Sequence, residues 1–135
     1  MLAAALGGTL IELVLLEHYE DVWQWVPLVL LGVAIVVVVW YGATRSRSSL
    51  RVLRGLMLLF VLSGATGVAL HVRGNLEFEL ENSPELRGLS LLWEVVTGAT
   101  PILAPGTMVL LGVIGLLYTY KHPRLIERKL EITAP

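Results

Sequence analysis

The chain has 135 residues, of which 56% are hydrophobic and 16% charged, and its net charge is −1. Soluble domains carry about 25% charged residues, and a domain this small buries only a modest share of its surface. This composition excludes a disordered chain and predicts an integral membrane protein. The near-zero net charge offers no field that would attract nucleic acid. The absence of cysteine excludes disulfides, thiolate metal sites and a cysteine nucleophile.

Four stretches are apolar enough to predict membrane-spanning helices, each of which needs about 20 apolar residues. The first is short, but no basic residue precedes it and its small residues lie at the wrong end for a cleavage site. We therefore interpret it as a retained helix rather than a signal peptide. The predicted fold is all-α, a single transmembrane domain over 1–135 formed by a bundle of four transmembrane helices. These helices cover about 2–17, 22–42, 52–72 and 105–120.

The apolar stretch 95–120 is too long for one crossing and contains Pro101 and Pro105. A proline inside a helix removes a backbone hydrogen bond and clashes with the preceding turn. We therefore predict a short helix over about 89–97 and a break within 98–106, with the freed backbone groups covered by protein or close to the interface. The short helix is expected to lie in the membrane interface, with a re-entrant segment as the alternative. Its apolar side chains share one face: Leu89, Leu92, Trp93 and Val96.

The one polar insertion, 73–88, separates the third and last predicted crossings. Glu77, Glu79 and Glu81 alternate with apolar residues, which is a strand-like period. A turn signal, Asn82-Ser83-Pro84, follows. We predict an irregular outer loop in preference to an isolated strand.

Basic residues collect on one side of this predicted topology. Such a bias marks the cytoplasmic side of short membrane loops, and an odd number of crossings would separate the two basic clusters. The sequence therefore predicts a multi-pass protein of the cell membrane with both termini in the cytoplasm. The clusters are Arg45, Arg47, Arg51 and Arg54 in one loop, and Lys121, Arg124, Arg128 and Lys129 in the tail.

His71 is the first candidate binding residue. It shares a helical stripe with Ser63 and Gly67, and small residues at this spacing mark a face that packs on another membrane helix. We therefore expect His71 to point into the bundle near its outer end. The favoured role is a packing histidine. The alternative is an axial ligand for a haem or a pigment, of unknown identity.

Glu12 is the only carboxylate inside a predicted crossing, on a stripe with Ala4 and Gly8. An ionisable residue at membrane depth is a functional candidate by default. We expect Glu12 to face the protein and to contact His71 directly or through one water. Ser63 and Thr66 are the other intramembrane polar residues that could pair with it.

The acidic outer segments contain two imidazoles, but without a recognised metal-ligand spacing they are expected to be solvated. The sequence has no phosphate-binding glycine loop, HExxH motif or nucleophile elbow, so we predict no catalytic site, no metal site and no enzyme.

The favoured function is a non-catalytic accessory or structural subunit of a larger membrane complex. Its expected partners are the lipid bilayer and other membrane subunits or a second copy, and not nucleic acid. One alternative is a haem-, pigment- or metal-binding protein that uses His71, perhaps with His18. The other is a small ion- or proton-coupled transporter that uses Glu12 and the broken segment.

Overall fold

The computed structural model describes residues 1–98, 100–123 and 125, and this part of the chain is helical without strands. The all-α prediction is therefore confirmed. The basic tail residues Arg124, Arg128 and Lys129 lie outside the described residues. The described chain folds into five α-helices, with a short 3-10 turn, Val22–Gln24, before the second: α1 (Leu2–Leu15), α2 (Trp25–Thr44), α3 (Arg47–Asn82), α4 (Gly88–Thr97) and α5 (Leu103–Thr119).

Two segments, Val22–Thr44 and Arg47–Asn82, are long and apolar enough to cross a membrane. Only 28% and 17% of their most apolar windows are buried inside the protein. A core helix of a soluble protein would be mostly buried, so these helices carry apolar surface that the chain itself does not cover. With 14 and 17 residues, α1 and α5 are shorter. They extend over roughly 21 and 26 Å, against about 30 Å of bilayer hydrocarbon.

Helix α3 continues well past the end of the predicted third crossing. The sequence predicts an outer loop over 73–88, but the helix extends to Asn82 and only 83–87 connect it to α4. The loop prediction is therefore wrong over its first ten residues. Leucine and glutamate are strong helix formers, and the period-two pattern had no neighbouring strand with which to pair. Arg73 Nε also donates to Glu77 Oε1 at 2.7 Å, an i,i+4 pair that suits a helix.

A two-residue connection makes α2 and α3 antiparallel neighbours. Arg45 adopts a left-handed conformation at the end of α2, with φ of 50°. Ser46 caps the start of α3, because its hydroxyl accepts a hydrogen bond from the Ser49 backbone N–H at 3.2 Å. The end of the bundle where α2 ends and α3 begins is called the basic end below. It carries Arg45, Arg47, Arg51 and Arg54.

Helices α3 and α5 pack antiparallel through glycines. A β-carbon on Gly112 would lie 2.7 Å from the Met57 carbonyl oxygen, and one on Gly64 would lie 2.7 Å from the Val109 backbone nitrogen. A β-carbon on Gly67 would lie 2.7 Å from the β-carbon of Pro105. Side chains at these positions would force the helices apart, so the glycines set the close approach of the two backbones.

The predicted break between the last two helices is confirmed. Helix α4 ends at Thr97 and α5 begins at Leu103, with Pro105 as its third residue. A proline is tolerated in the first turn of a helix because the N–H it lacks would have no intrahelical partner there. Helix α4 packs on α3 through the buried Val95. Its predicted apolar face is left open, with Leu89 83% and Trp93 67% exposed.

Candidate functional site

Glu12 lies on the side of α1 that faces away from the bundle. The side chain of Leu6 is fully buried, whereas Ala4, Gly8 and Glu12 are exposed. The expectation that Glu12 faces the protein is therefore wrong. Large leucine side chains gain more from burial than alanine and glycine do, so the leucine stripe takes the inner face. The other leucines that pack on the core from this helix are Leu2, Leu10 and Leu13.

The expected direct contact between Glu12 and His71 is not formed. Within the described residues, no hydrogen bond joins the Glu12 carboxyl group to His71, Ser63 or Thr66, and no ion pair reaches it. Helix α1 packs mainly on α2 and α5 rather than on α3. The prediction required the first and third helices to be neighbours, and their packing does not provide this.

His71 is half-buried on the α3 face that packs on the start of α5. It follows Gly67, which contacts Pro105, by four residues and therefore lies one turn further along the same face. Its Nδ1 atom is buried and has no hydrogen-bond partner among the described residues. Ser63 is half-buried and Thr66 is exposed on the same helix.

His18, in the turn after α1, lies close enough to His71 to sense its charge. Burial lowers the pKa of His18 below its ordinary value, and the charge of His71 lowers it further. The structure thus brings two imidazoles to the end of the bundle opposite the basic end. In the described part of the chain, no group of three or more His, Asp or Glu side chains is arranged to hold a metal ion.

Asn75 is the buried polar residue that holds the break between α4 and α5. Its Nδ2 donates to the Val95 carbonyl oxygen at 2.9 Å and to the Thr100 carbonyl oxygen at 3.0 Å. Its Oδ1 accepts from the Thr100 backbone N–H at 3.1 Å and from the Thr100 hydroxyl. A β-carbon on Gly98 would lie 3.0 Å from the Asn75 Cγ, so glycine is needed for this approach. One side chain therefore satisfies backbone groups that the break exposes, as predicted, with an internal partner.

Sequence reasoning missed Asn75. The signal available was its position, because it lies four residues beyond His71 and eight beyond Gly67 on the stripe that faces α5. A fully buried asparagine in an apolar bundle requires partners, and here the partners are backbone groups.

A second polar cluster lies at the basic end. The Tyr41 hydroxyl and His122 Nε2 are 3.1 Å apart, and the Tyr118 ring lies 6.3 Å from the Tyr41 ring and 5.7 Å from the His122 ring. The Arg45 guanidinium lies 5.4 Å from the centroid of the Tyr41 ring. This cluster ties the end of α5 to the end of α2. A cavity of about 310 Å³ adjoins it, lined by Met1, Leu2, Ala3, Val38, Tyr41, Leu53 and Tyr118.

Comparison of the chain with protein families, curated proteins and solved structures found no match. The functional argument therefore depends on the residues and their geometry. Among these contacts, Asn75 joins α3 to the break between α4 and α5, and the Tyr41–His122 contact joins the end of α2 to the segment after α5.

Proposed function

We propose that the protein is a multi-pass membrane protein that serves as a non-catalytic subunit of a larger membrane complex. The observation that carries this proposal is the position of Glu12, a carboxyl group on an uncovered face of an apolar helix. Helix α1 buries Leu6 and packs Leu2, Leu10 and Leu13 inward, whereas Gly8, Glu12 and the large apolar residues Ile11 and Leu15 are exposed. The protein surface that would complete this face must then come from another chain.

The proposed topology has four crossings, with α1, α2, α3 and α5 in the membrane and both termini in the cytoplasm. The concentration of arginines at the basic end supports this orientation, because basic residues are retained on the cytoplasmic side. Lys121, at the end of α5, adds to the same end. Helices α1 and α5 are somewhat short for a crossing, and local thinning of the bilayer together with their flanking polar residues would accommodate them.

Glu12 would be costly in contact with lipid. It lies ten residues from Leu2 and three from Leu15, so it is roughly 15 Å from one end of α1 and roughly 5 Å from the other. A carboxylate such as that of Asp costs about 3 kcal/mol at the centre of a membrane helix, and less towards the end of the helix where Glu12 lies. A partner helix that carries a hydrogen-bond donor would remove much of this cost. Ala4 and Gly8 on the same face would let that helix approach closely.

The positions of His71 and Glu12 support the cofactor-carrier and transporter alternatives less well than the subunit proposal. A haem, pigment or metal carrier would use His71, alone or with His18, but in the described part of the chain no group of three or more His, Asp or Glu side chains is arranged to hold a metal ion. A proton-coupled transporter would use Glu12 within its own bundle, but Glu12 faces away from the bundle. Polar groups on a transport path lie inside the bundle or line a water-filled cavity.

Isolation of the tagged protein from membranes in a mild detergent tests the proposal. We expect a complex of defined stoichiometry that Glu12→Leu and Gly8→Leu disrupt. Gly7→Leu is the matched control, because a β-carbon at either glycine meets no other atom within 4 Å and residue 7 points about 100° away around the helix. Recovery of the wild-type protein as a monomer, or equal behaviour of the two glycine variants, would overturn the proposal. A Soret or chlorin band in the visible spectrum would instead support the cofactor alternative.

A further inference from the structure

A groove between α3 and α5 opens at the basic end. Its volume is about 280 Å³. The lining changes in character along the helix axis, with a cation and a phenol at the end of the bundle and aliphatic side chains further inward. The residues that line it are Arg54, Leu58, Val113, Leu116, Leu117 and Tyr120.

The mouth of this groove is positively charged. Arg54 is exposed and makes no ion pair with any residue that the structure describes. The Lys121 Nζ atom lies 5.4 Å from the centroid of the Tyr120 ring, which places a second cation beside the groove. Neither 25–76 nor 95–126 contains an acidic residue, so the lining helices supply no counter-charge near the mouth.

We propose that this groove binds one anionic phospholipid from the leaflet at the basic end. The lipid phosphate lies against Arg54 and Lys121, and an acyl chain follows the aliphatic wall formed by Leu58, Val113 and Leu117. Arginine forms short, charge-assisted hydrogen bonds with phosphate oxygens. Basic pockets between membrane helices on the cytoplasmic side are suited to anionic headgroups, and tyrosine favours the headgroup level. The site rests on the proposed membrane location but not on membership of a complex.

The shape of the groove favours a lipid over a free phosphate ion. The charged mouth is continuous with an apolar wall that extends from Tyr120 to Val113, about two helical turns. A free ion would use only the mouth. An amphiphile uses both parts, because its phosphate and its chain are covalently joined in the same order as the cation and the aliphatic residues of the groove.

The test is a titration of the full chain in detergent with dioleoylphosphatidylglycerol or dioleoylphosphatidylcholine, with bound lipids counted by native mass spectrometry. We expect one saturable phosphatidylglycerol site, with weaker binding of phosphatidylcholine. Arg54→Gln should weaken phosphatidylglycerol binding about fivefold, which corresponds to about 1 kcal/mol for one basic side chain at a membrane surface. Arg54→Lys should retain most of the affinity. Arg73→Gln removes the same charge at the other end of α3 and should leave binding unchanged.

A second pair of variants tests the apolar wall. Val113→Trp fills the groove and should abolish the saturable site. Ile114→Trp makes a similar change at an exposed residue outside the lining and should not affect it. Circular dichroism checks that each variant keeps its helix content. If Val113→Trp does not fold, the comparison of Arg54→Gln with Arg73→Gln still decides the outcome.

Three results would overturn the lipid site. One is equal binding of the two lipids, and another is an equal effect of the two arginine variants. The third is displacement of the lipid by free glycerol 3-phosphate at the same concentration, which would mean that the mouth alone is the site. Failure of the subunit proposal is distinguishable, because a monomer without partners could still bind one phosphatidylglycerol molecule with the expected variant pattern.

Discussion

Replacement of Asn75 by alanine should destabilise the protein at the break between α4 and α5. The substitution removes the partner of the Val95 carbonyl oxygen, which is buried, and of the Thr100 backbone N–H and C=O groups, which are partly buried. A buried backbone group left without a partner costs about 1–3 kcal/mol. We assign about 2 kcal/mol to the Val95 carbonyl and about half as much to the two Thr100 groups together. The expected loss is about 3 kcal/mol, which is about a hundredfold in the unfolding equilibrium.

Unfolding of the detergent-solubilised protein, followed by helix circular dichroism during a titration with a denaturing detergent, measures this loss. Asn82→Ala is the matched control. Its Nδ2 also donates to a backbone carbonyl, that of Phe78 at 2.8 Å, but at an exposed position where water replaces the bond, so we expect less than about 0.5 kcal/mol. Hydrogen exchange supplies a local measurement, because the Thr100 amide should lose protection selectively in Asn75→Ala. Equal stabilities of the two variants, or unchanged exchange at Thr100, would refute the assignment of Asn75 as the residue that holds the break.

Three further predictions concern packing, pH and topology. Gly112→Ala should lower the free energy of unfolding by about 1–3 kcal/mol in the same titration, because its β-carbon would press on backbone atoms of α3. Gly55→Ala faces open space and should be neutral or stabilising. Equal effects of the two substitutions would contradict the packing of α3 on α5. Burial, and then the charge of His71, lowers the pKa of His18 below 6.5, so the unfolded chain binds the proton more tightly. The contribution of neutral His18 to the free energy of unfolding should be complete above about pH 6.5 and should be lost as the pH falls through the lower pKa of the folded protein. His18→Gln should remove this pH dependence. A variant with the same pH dependence as the wild type would disprove the assignment. A reporter fused after Asn82 should lie outside the cell and one fused in the α2–α3 connection should lie in the cytoplasm; a cytoplasmic signal from the first would disprove the four-crossing topology.

The features that the sequence predicts correctly depend on local rules of the backbone. Pro101 and Pro105 cannot continue a helix from the preceding turns, so the break could be placed without knowledge of the tertiary fold. The stripe of Ser63, Gly67 and His71 also indicates a face that packs on another helix, and a β-carbon on Gly67 would lie 2.7 Å from the β-carbon of Pro105. The identity of the neighbouring helix is not encoded in the stripe, and only the structure shows that it is α5.

The features that the sequence did not predict depend on which segments pack against each other in the folded protein. Asn75 binds the backbone of Val95 and Thr100, and a backbone carbonyl carries no signature of residue type. The alternation of glutamates with apolar residues over 76–81 resembles a strand, and neither that pattern nor the predicted loop indicates the helix that the structure shows over 73–82. Both features required knowledge of what lies beside the segment.

The orientation of α1 differs from that of α3 and α5 in what its small residues face. On α3 and α5, glycines meet the backbone of a neighbouring helix, and a β-carbon on Gly64 or Gly112 would collide with it. On α1, the same kind of small residue is turned outward, and a β-carbon on Gly8 meets nothing within 4 Å. Ile11 and Leu15 are exposed beside Gly8 and Glu12, so this side of α1 is apolar except for one carboxyl group. A carboxyl group turned to lipid alone would be costly, and this cost supports the proposed second protein helix with a hydrogen-bond donor for Glu12.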